Sequence, residues 1–169
     1  NNTAGKYLFL GAGGNTPFDH FPDLNLPRMR AIREKALQNG YQIGLHPSFD
    51  TWKNEERWLT EKQHLENWLG HPVLHSRQHY LRFSFPETAD IREKAGSETD
   101  STLGFRRNIG FRCGTGYPFH LYHFGEERAY RWKEIPLVIM DIALLRETGF
   151  QARVLQELWA NFFKNNRYN

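Results

Sequence analysis

Five polar side chains in this chain, His46, His79, Asp100, Arg112 and Asp141, each stand at the downstream end of a short run of residues. Those runs are 41–45, 73–78, 96–99, 109–111 and 135–140; three of them read well as strands and two less well. Helical segments separate several of them. Where parallel strands alternate with helices, polar side chains at the strands' C-terminal ends converge on one rim, and such folds keep their chemistry there. The repetition therefore predicts an α/β enzyme with parallel strands, built from strand–helix–strand units with right-handed crossovers.

The intervening pattern is consistent with that architecture. Residues 6–10 are an apolar run bounded by glycines and read as a buried strand. Residues 28–39 carry Met29, Ile32, Ala36 and Leu37 at helical spacing, and Asn39-Gly40 ends them because glycine accepts a left-handed cap. Residues 55–69 place Trp58, Leu59, Leu65, Trp68 and Leu69 on one predicted helix face. Residues 86–96 read as a short helix with proline at its start and glycine at its end. Residues 100–122 read as irregular, 134–140 as a strand, and 151–163 as a final helix carrying Val154, Leu155, Leu158, Trp159 and Phe162 on one side. No repeat or linker divides the chain, so residues 1–169 are expected to form a single domain or part of one.

Composition narrows the function classes. A hydrophobic fraction of 39% with 15% aromatics supports a packed core. The 22 basic and 19 acidic residues leave a net charge of +3, and the basic ones are scattered, so no nucleic-acid partner is expected. The single cysteine, Cys113, excludes an intrachain disulfide and a cysteine-rich zinc site. No apolar stretch approaches the ~20 residues that span a bilayer. No signal peptide opens the chain, and its true N-terminus is expected to lie upstream; a cytoplasmic location is favoured over a secreted one.

Several local groups could carry chemistry. In Gly44-Leu45-His46-Pro47-Ser48-Phe49-Asp50, His46 and Asp50 could face one cation if the chain turns once after the strand. The plainer alternative is a histidine capping a strand and an aspartate opening a helix. In Ser76-Arg77-Gln78-His79-Tyr80, Arg77 could grip a carboxylate bidentately and His79 could act as a general acid or base, or both could belong to a salt-bridged strand exit. Asp100 and Arg112 lie on glycine-flanked loops and could serve a ligand or pair with each other. Asp141 leaves an apolar run and needs a partner if buried. Gly11-Ala12-Gly13-Gly14 lacks the helix start of a dinucleotide turn. Aromatic residues in loops, Tyr80 and Phe105 among them, could stack on sugar faces.

Taken in order, Gly44-Leu-His46-Pro-Ser48, Ser76-Arg77-Gln78-His79-Tyr80, Asp100-Ser-Thr102, Gly110-Phe-Arg112-Cys-Gly114-Thr115 and Met140-Asp141 resemble a bacterial branch of the polysaccharide deacetylase (NodB-homology) family. The resemblance runs from about Tyr7 to the end of the chain. It implies a deformed (β/α) barrel and a hydrolase that removes acetyl groups from N-acetylated sugars, with carbohydrate as its partner. It further implies a divalent metal, usually zinc, that polarises the acetyl carbonyl and activates water, an aspartate base and a histidine acid. His46 matches the first histidine of the family's metal motif; Asp50 stands where the second histidine falls, and Pro47 replaces a small hydroxyl residue. Arg77 matches the arginine that holds the base, and Asp100, Arg112 and Asp141 match further motif positions. The family's paired aspartates and its closing Leu-x-His do not occur, which implies a domain incomplete at both ends. The rival expectation is a degenerate, non-catalytic carbohydrate-binding member of the same fold.

Overall fold

A computed structural model describes residues 5–149 and 151–165, with positions 147, 148, 152, 159 and 162–165 described by backbone alone. In chain order the elements are β1 (Lys6–Leu10), α1 (Pro27–Gln38), β2 (Tyr41–Leu45), α2 (Glu55–Leu69), β3 (His75–Ser76), α3 (Glu87–Lys94) and β4 (Thr99–Asp100). They are followed by β5 (Tyr122–His123), β6 (Arg128–Ala129), β7 (Lys133–Glu134), α4 (Asp141–Thr148) and α5 (Ala152–Asn165). The main sheet runs β1-β2-β3-β4-β7 with every neighbouring pair parallel. The antiparallel β5–β6 hairpin stands apart from it.

The expected alternation of helices and parallel strands is present, in a mixed α/β fold. The expected barrel is not closed among the described residues. There β1 pairs only with β2, and the outer side of β7 carries an antiparallel bridge between Glu134 and Phe119. No helix among the described residues is long and apolar enough to cross a membrane.

Helix α2 matches the sequence signal at both ends. Asn54 caps it by accepting a hydrogen bond from the Arg57 N–H at 3.0 Å, and Gly70 closes it at φ 81°. Its inner face carries Trp58, Glu61 and Leu65, all buried, onto Leu10, Ile43 and Leu45 of the sheet. Trp68 and Leu69 cover the margin of this core, whereas Leu59 is exposed. In α1 only Met29 and Ala36 are buried, because the helix packs against the sheet's edge with one narrow face; Ile32 and Leu37 point away.

Two readings of the sequence need correction. The apolar run 134–140 is a strand only at Lys133–Glu134, and beyond it a single parallel bridge joins Leu137 to Gly104. The N–H groups of Lys133, Ile135 and Leu137 donate to Glu98, Asp100 and Leu103, so an extra residue on the partner side, between Asp100 and Leu103, breaks the regular ladder. Asp141 accordingly does not leave a buried strand: it opens the helix α4 and is exposed, so water solvates its charge. The final helix lies where expected, and the side chains of Trp159 and Phe162 fall outside the described residues.

Behind the strand ends lies a polar core that the sequence did not announce. Arg92 of α3 and Asp100 of β4 are both fully buried and pair through Nε and Oδ2 at 2.9 Å. Asp100 also accepts from the Ser76 hydroxyl at 2.5 Å and from the Thr102 N–H at 2.9 Å. Arg92 donates to Gln78 Oε1 at 3.0 Å, and Gln78 in turn donates to the Ser48 carbonyl and the Thr51 hydroxyl. Glu134 accepts from the Leu103 N–H at 2.8 Å. Burial, reinforced by the adjacent Asp100 charge, pushes its carboxyl up to about 10, so it is neutral at pH 7.

Among the described residues this arrangement makes Asp100 the sole ion-pair partner of a fully buried guanidinium. Asp100→Asn preserves shape and removes the charge. It should lower unfolding free energy by about 3–5 kcal/mol, the cost of leaving a buried charge unpaired. Urea denaturation measures it, and a loss below ~1 kcal/mol would show that Arg92 is compensated otherwise.

Candidate functional site

The polar core fixes where the strands end, and the residues immediately beyond those ends form a cleft of about 610 Å³. His46 follows β2, and Arg77 and His79 follow β3; Tyr80, Arg106 and Asp141 complete its polar lining. Leu137, Ile139 and Ile142 supply an apolar wall. Of the seven residues singled out by sequence, the cleft therefore gathers His46, Arg77, His79 and Asp141. Asp100 lies buried beneath it. Arg112 stands aside, donating to the Gly104 carbonyl at 3.1 Å. It does not pair with Asp100, whose partner is Arg92. Asp50 is exposed and pairs with Arg82 at 3.2 Å.

The two histidines touch. His46 Nε2 lies 2.9 Å from His79 Nδ1. The remaining nitrogens both face backbone carbonyls: His46 Nδ1 the Arg77 carbonyl at 2.6 Å, and His79 Nε2 the Phe18 carbonyl at 2.8 Å. A carbonyl oxygen can only accept, so both of those nitrogens carry protons. Two neutral imidazoles would then meet lone pair to lone pair. The central contact becomes a hydrogen bond only when the pair holds a third proton, and with it one positive charge. His46 is the neutral partner: burial chiefly, and then the His79 and Arg77 charges, push its pKa down to about 4, against the opposing effect of its bond to the Arg77 carbonyl. In that state His46 Nε2 accepts from His79 Nδ1.

Arg77 is partly desolvated, and burial lowers its pKa, with the nearby Asp100 charge acting the other way. Its guanidinium stacks 4.6 Å from the centre of the Phe9 ring, and its Nε donates to Ser101. Among the described residues no carboxylate forms an ion pair with it. Tyr80 stands beside His79 in a turn where two consecutive non-glycine residues have positive φ, 58° for Tyr80 and 54° for Leu81. Each such residue costs of order ~1–3 kcal/mol, and strain of this kind collects at functional sites. Phe18 and Phe49 brace the Tyr80 ring with centroid distances of 5.7 and 5.3 Å. The loop carrying Phe18 is tied down by Asp19, which accepts from the Phe49 N–H at 2.8 Å.

The metal implied by the family resemblance does not fit these residues. Both nitrogens of His46 and both of His79 are engaged, and Asp50 is turned to Arg82. Among the described residues there is no group of three or more His, Cys, Asp or Glu side chains placed to hold a metal ion.

Sequence reasoning missed the buried Arg92, the neutral Glu134 and the role of Arg106, which it counted only among scattered basic residues. It also missed Glu61, which sits on the buried face of α2 and accepts hydrogen bonds from the Ser48 N–H at 2.7 Å and from the Ser48 hydroxyl. A charged residue on an apolar helix face, as Glu61 and Arg92 are, was the signal available in the sequence.

No protein-family model matches the chain, and no curated protein matches it significantly. Among solved structures it is similar to a crystal structure from Mycobacterium smegmatis provisionally described as a polysaccharide deacetylase. The identity is 18% and the TM-score 0.49, over 69% of this chain. The chain spans 38% of the length of that structure.

The depressed pKa of His46 has a stability consequence with a defined sign. Between about pH 6.5, the ordinary histidine value, and pH 4, the unfolded chain binds a proton that folded His46 refuses. Stability should therefore be full above pH 6.5 and fall by roughly 3 kcal/mol as the pH drops to 4. Chemical denaturation at a series of pH values measures that slope. His46→Gln should flatten it, leaving a residue from His75, whose pKa burial also lowers. An unchanged slope in the variant would refute the assignment of His46 as the neutral partner.

Proposed function

We propose that the chain is a polysaccharide deacetylase-like domain whose cleft binds N-acetylated carbohydrate and hydrolyses its acetamide. The observation that carries this reading is the meeting, in one cleft beyond parallel strand ends, of two histidines in contact, a guanidinium with free donors and a carboxylate. The ordered motifs from Gly44 to Asp141 support the family, and the apolar wall beside Tyr80 suits a sugar face with an acetyl methyl group.

In this reading Arg77 directs its unused N–H groups at the acetyl oxygen, where negative charge develops as water adds to the carbonyl carbon. Asp141, the one carboxylate lining the cleft, takes the proton of the attacking water. His79 gives a proton to the nitrogen as the C–N bond breaks, so that amine and acetate leave. The Nε2–H of His79, resting on the Phe18 carbonyl, is the donor that can turn to a ligand. His46 accepts from the other side of the ring and holds it in place. No metal enters these steps, because the residues that the resemblance assigns to a metal are committed to other partners.

That same commitment favours a second reading, a carbohydrate-binding member of the fold without turnover. Neither histidine offers a free nitrogen to a metal, and Asp50 faces away to Arg82.

Release of free amine from a reduced N-acetylglucosamine oligomer separates the two readings when binding is measured on the same preparation. For the hydrolase, His79→Ala should lower kcat by about 100-fold or more while leaving oligomer affinity within a few fold. Binding of the oligomer by the unaltered chain with no amine released over hours would transfer the assignment to the non-catalytic binder.

A further inference from the structure

Arg106 presents a guanidinium to the cleft in an unusual state. It stacks 4.5 Å from the centre of the Tyr80 ring, which is itself held by Phe18, Phe49 and the strained backbone at Tyr80 and Leu81. Stacking uses the face of the guanidinium and leaves its in-plane N–H donors directed outward. Among the described residues Arg106 forms no ion pair, whereas Arg57, Arg82, Arg92, Arg128 and Arg131 do. Arg77 repeats the arrangement on Phe9 in the same cleft. Against these two cations the lining offers, among the described residues, one carboxylate, Asp141. A cleft built this way has more positive charge than its own residues neutralise, and its donors are fixed in forks that match a carboxylate.

We propose that Arg106, seated on Tyr80, is a specificity-determining residue for a carboxylate-bearing sugar, so that the ligand of the cleft is an acidic N-acetylated glycan. The proposal rests on the carbohydrate reading above and adds the charge of the substrate. Tyr80 contributes rigidity by locking the plane of the guanidinium, and Arg106 pairs bidentately with the acid group of a residue next to the acetylated sugar. Asp141 remains across from a neutral part of the ligand, because a second anion beside it would be repelled.

Two probes of equal length test this: an N-acetylglucosamine tetramer, which is neutral, and a hyaluronan tetrasaccharide, which alternates N-acetylglucosamine with glucuronate. Calorimetric titration at 50 mM and 300 mM salt should show the acidic probe binding at least tenfold more tightly at low salt, with the advantage shrinking at high salt. Arg106→Gln should abolish that advantage while neutral-probe affinity stays within twofold, and Arg106→Lys should retain part of it. Arg106 is exposed, so both variants are expected to fold; circular dichroism checks this. Equal affinity for the two probes, or an advantage that survives in Arg106→Gln, overturns the proposal and leaves the carbohydrate reading standing. Failure of both probes to bind overturns the two together.

Discussion

The fold depends on one buried ion pair. Arg92 and Asp100 have no exposed surface, so each has lost the hydration that makes a charge tolerable, a penalty of several kcal/mol per ion after relaxation. Their mutual attraction and further hydrogen bonds offset this, although Arg92 Nη1 and Glu134 Oε2 find no hydrogen-bond partner among the described residues. Asp100 accepts three hydrogen bonds, from Arg92, Ser76 and Thr102, and Arg92 adds Gln78 and the face of Trp58 at 4.7 Å. The neutrality of Glu134 belongs to the same balance: an ionised Glu134 would put two anions against one cation in a medium with little screening. Through these bonds α3, β3 and β4 are held to one another. Gln78 extends the grip to Ser48 and Thr51 beyond β2, so the positions of His46, Arg77 and His79 are consequences of an interaction that touches none of them.

Rigidity at that level is what allows strain one step further out. Tyr80 and Leu81 adopt a left-handed backbone that neither side chain favours, with only His79 between them and Gln78, which is fully buried and bonded at both its main chain and its side chain. The turn is braced from below by the polar core and from the side by Phe18 and Phe49, and the loop bearing Phe18 is held by Asp19. The cost of the turn is met by its surroundings, and its product is a Tyr80 ring with a defined plane. Arg106 inherits that plane by stacking on the ring.

The sequence disclosed the parts of this structure whose signal is local. Helix α2 was legible because the Trp58–Leu65 spacing acts within a single element, whereas its Asn54 cap was not read from the sequence. The strand-end positions of His46 and His79 were legible from apolar runs that stop at polar residues. What escaped was long-range or conformational. The pairing of Asp100 with Arg92 rather than Arg112 depends on α3 lying across β4, and sequence proximity of glycine-rich loops pointed elsewhere. The short β7 escaped because its regular pairing ends where the partner segment carries an extra residue between Asp100 and Leu103, which the apolar run 134–140 does not itself reveal. His46 and Asp50, four residues apart, invited a shared cation; whether two such residues face each other depends on the turn between them, and here Arg82 draws Asp50 outward.

The charge state of the cleft connects these observations. A site for a divalent cation gathers lone pairs and negative charge, whereas this cleft offers two histidines turned toward each other, and two guanidiniums. A proton from His79 Nδ1 and a metal ion would compete for the same lone pair on His46 Nε2, since the Arg77 carbonyl already fixes the proton on Nδ1. Any cation entering would also meet Arg77 and Arg106 with only Asp141 to attract it. The same electrostatics act with the opposite sign on an anion, whose entry would offset the positive charges that add to burial in lowering the pKa of His46. The features that make the cleft unsuited to a metal and suited to an acidic ligand are thus one feature, an excess of fixed donors over acceptors at the ends of β2 and β3.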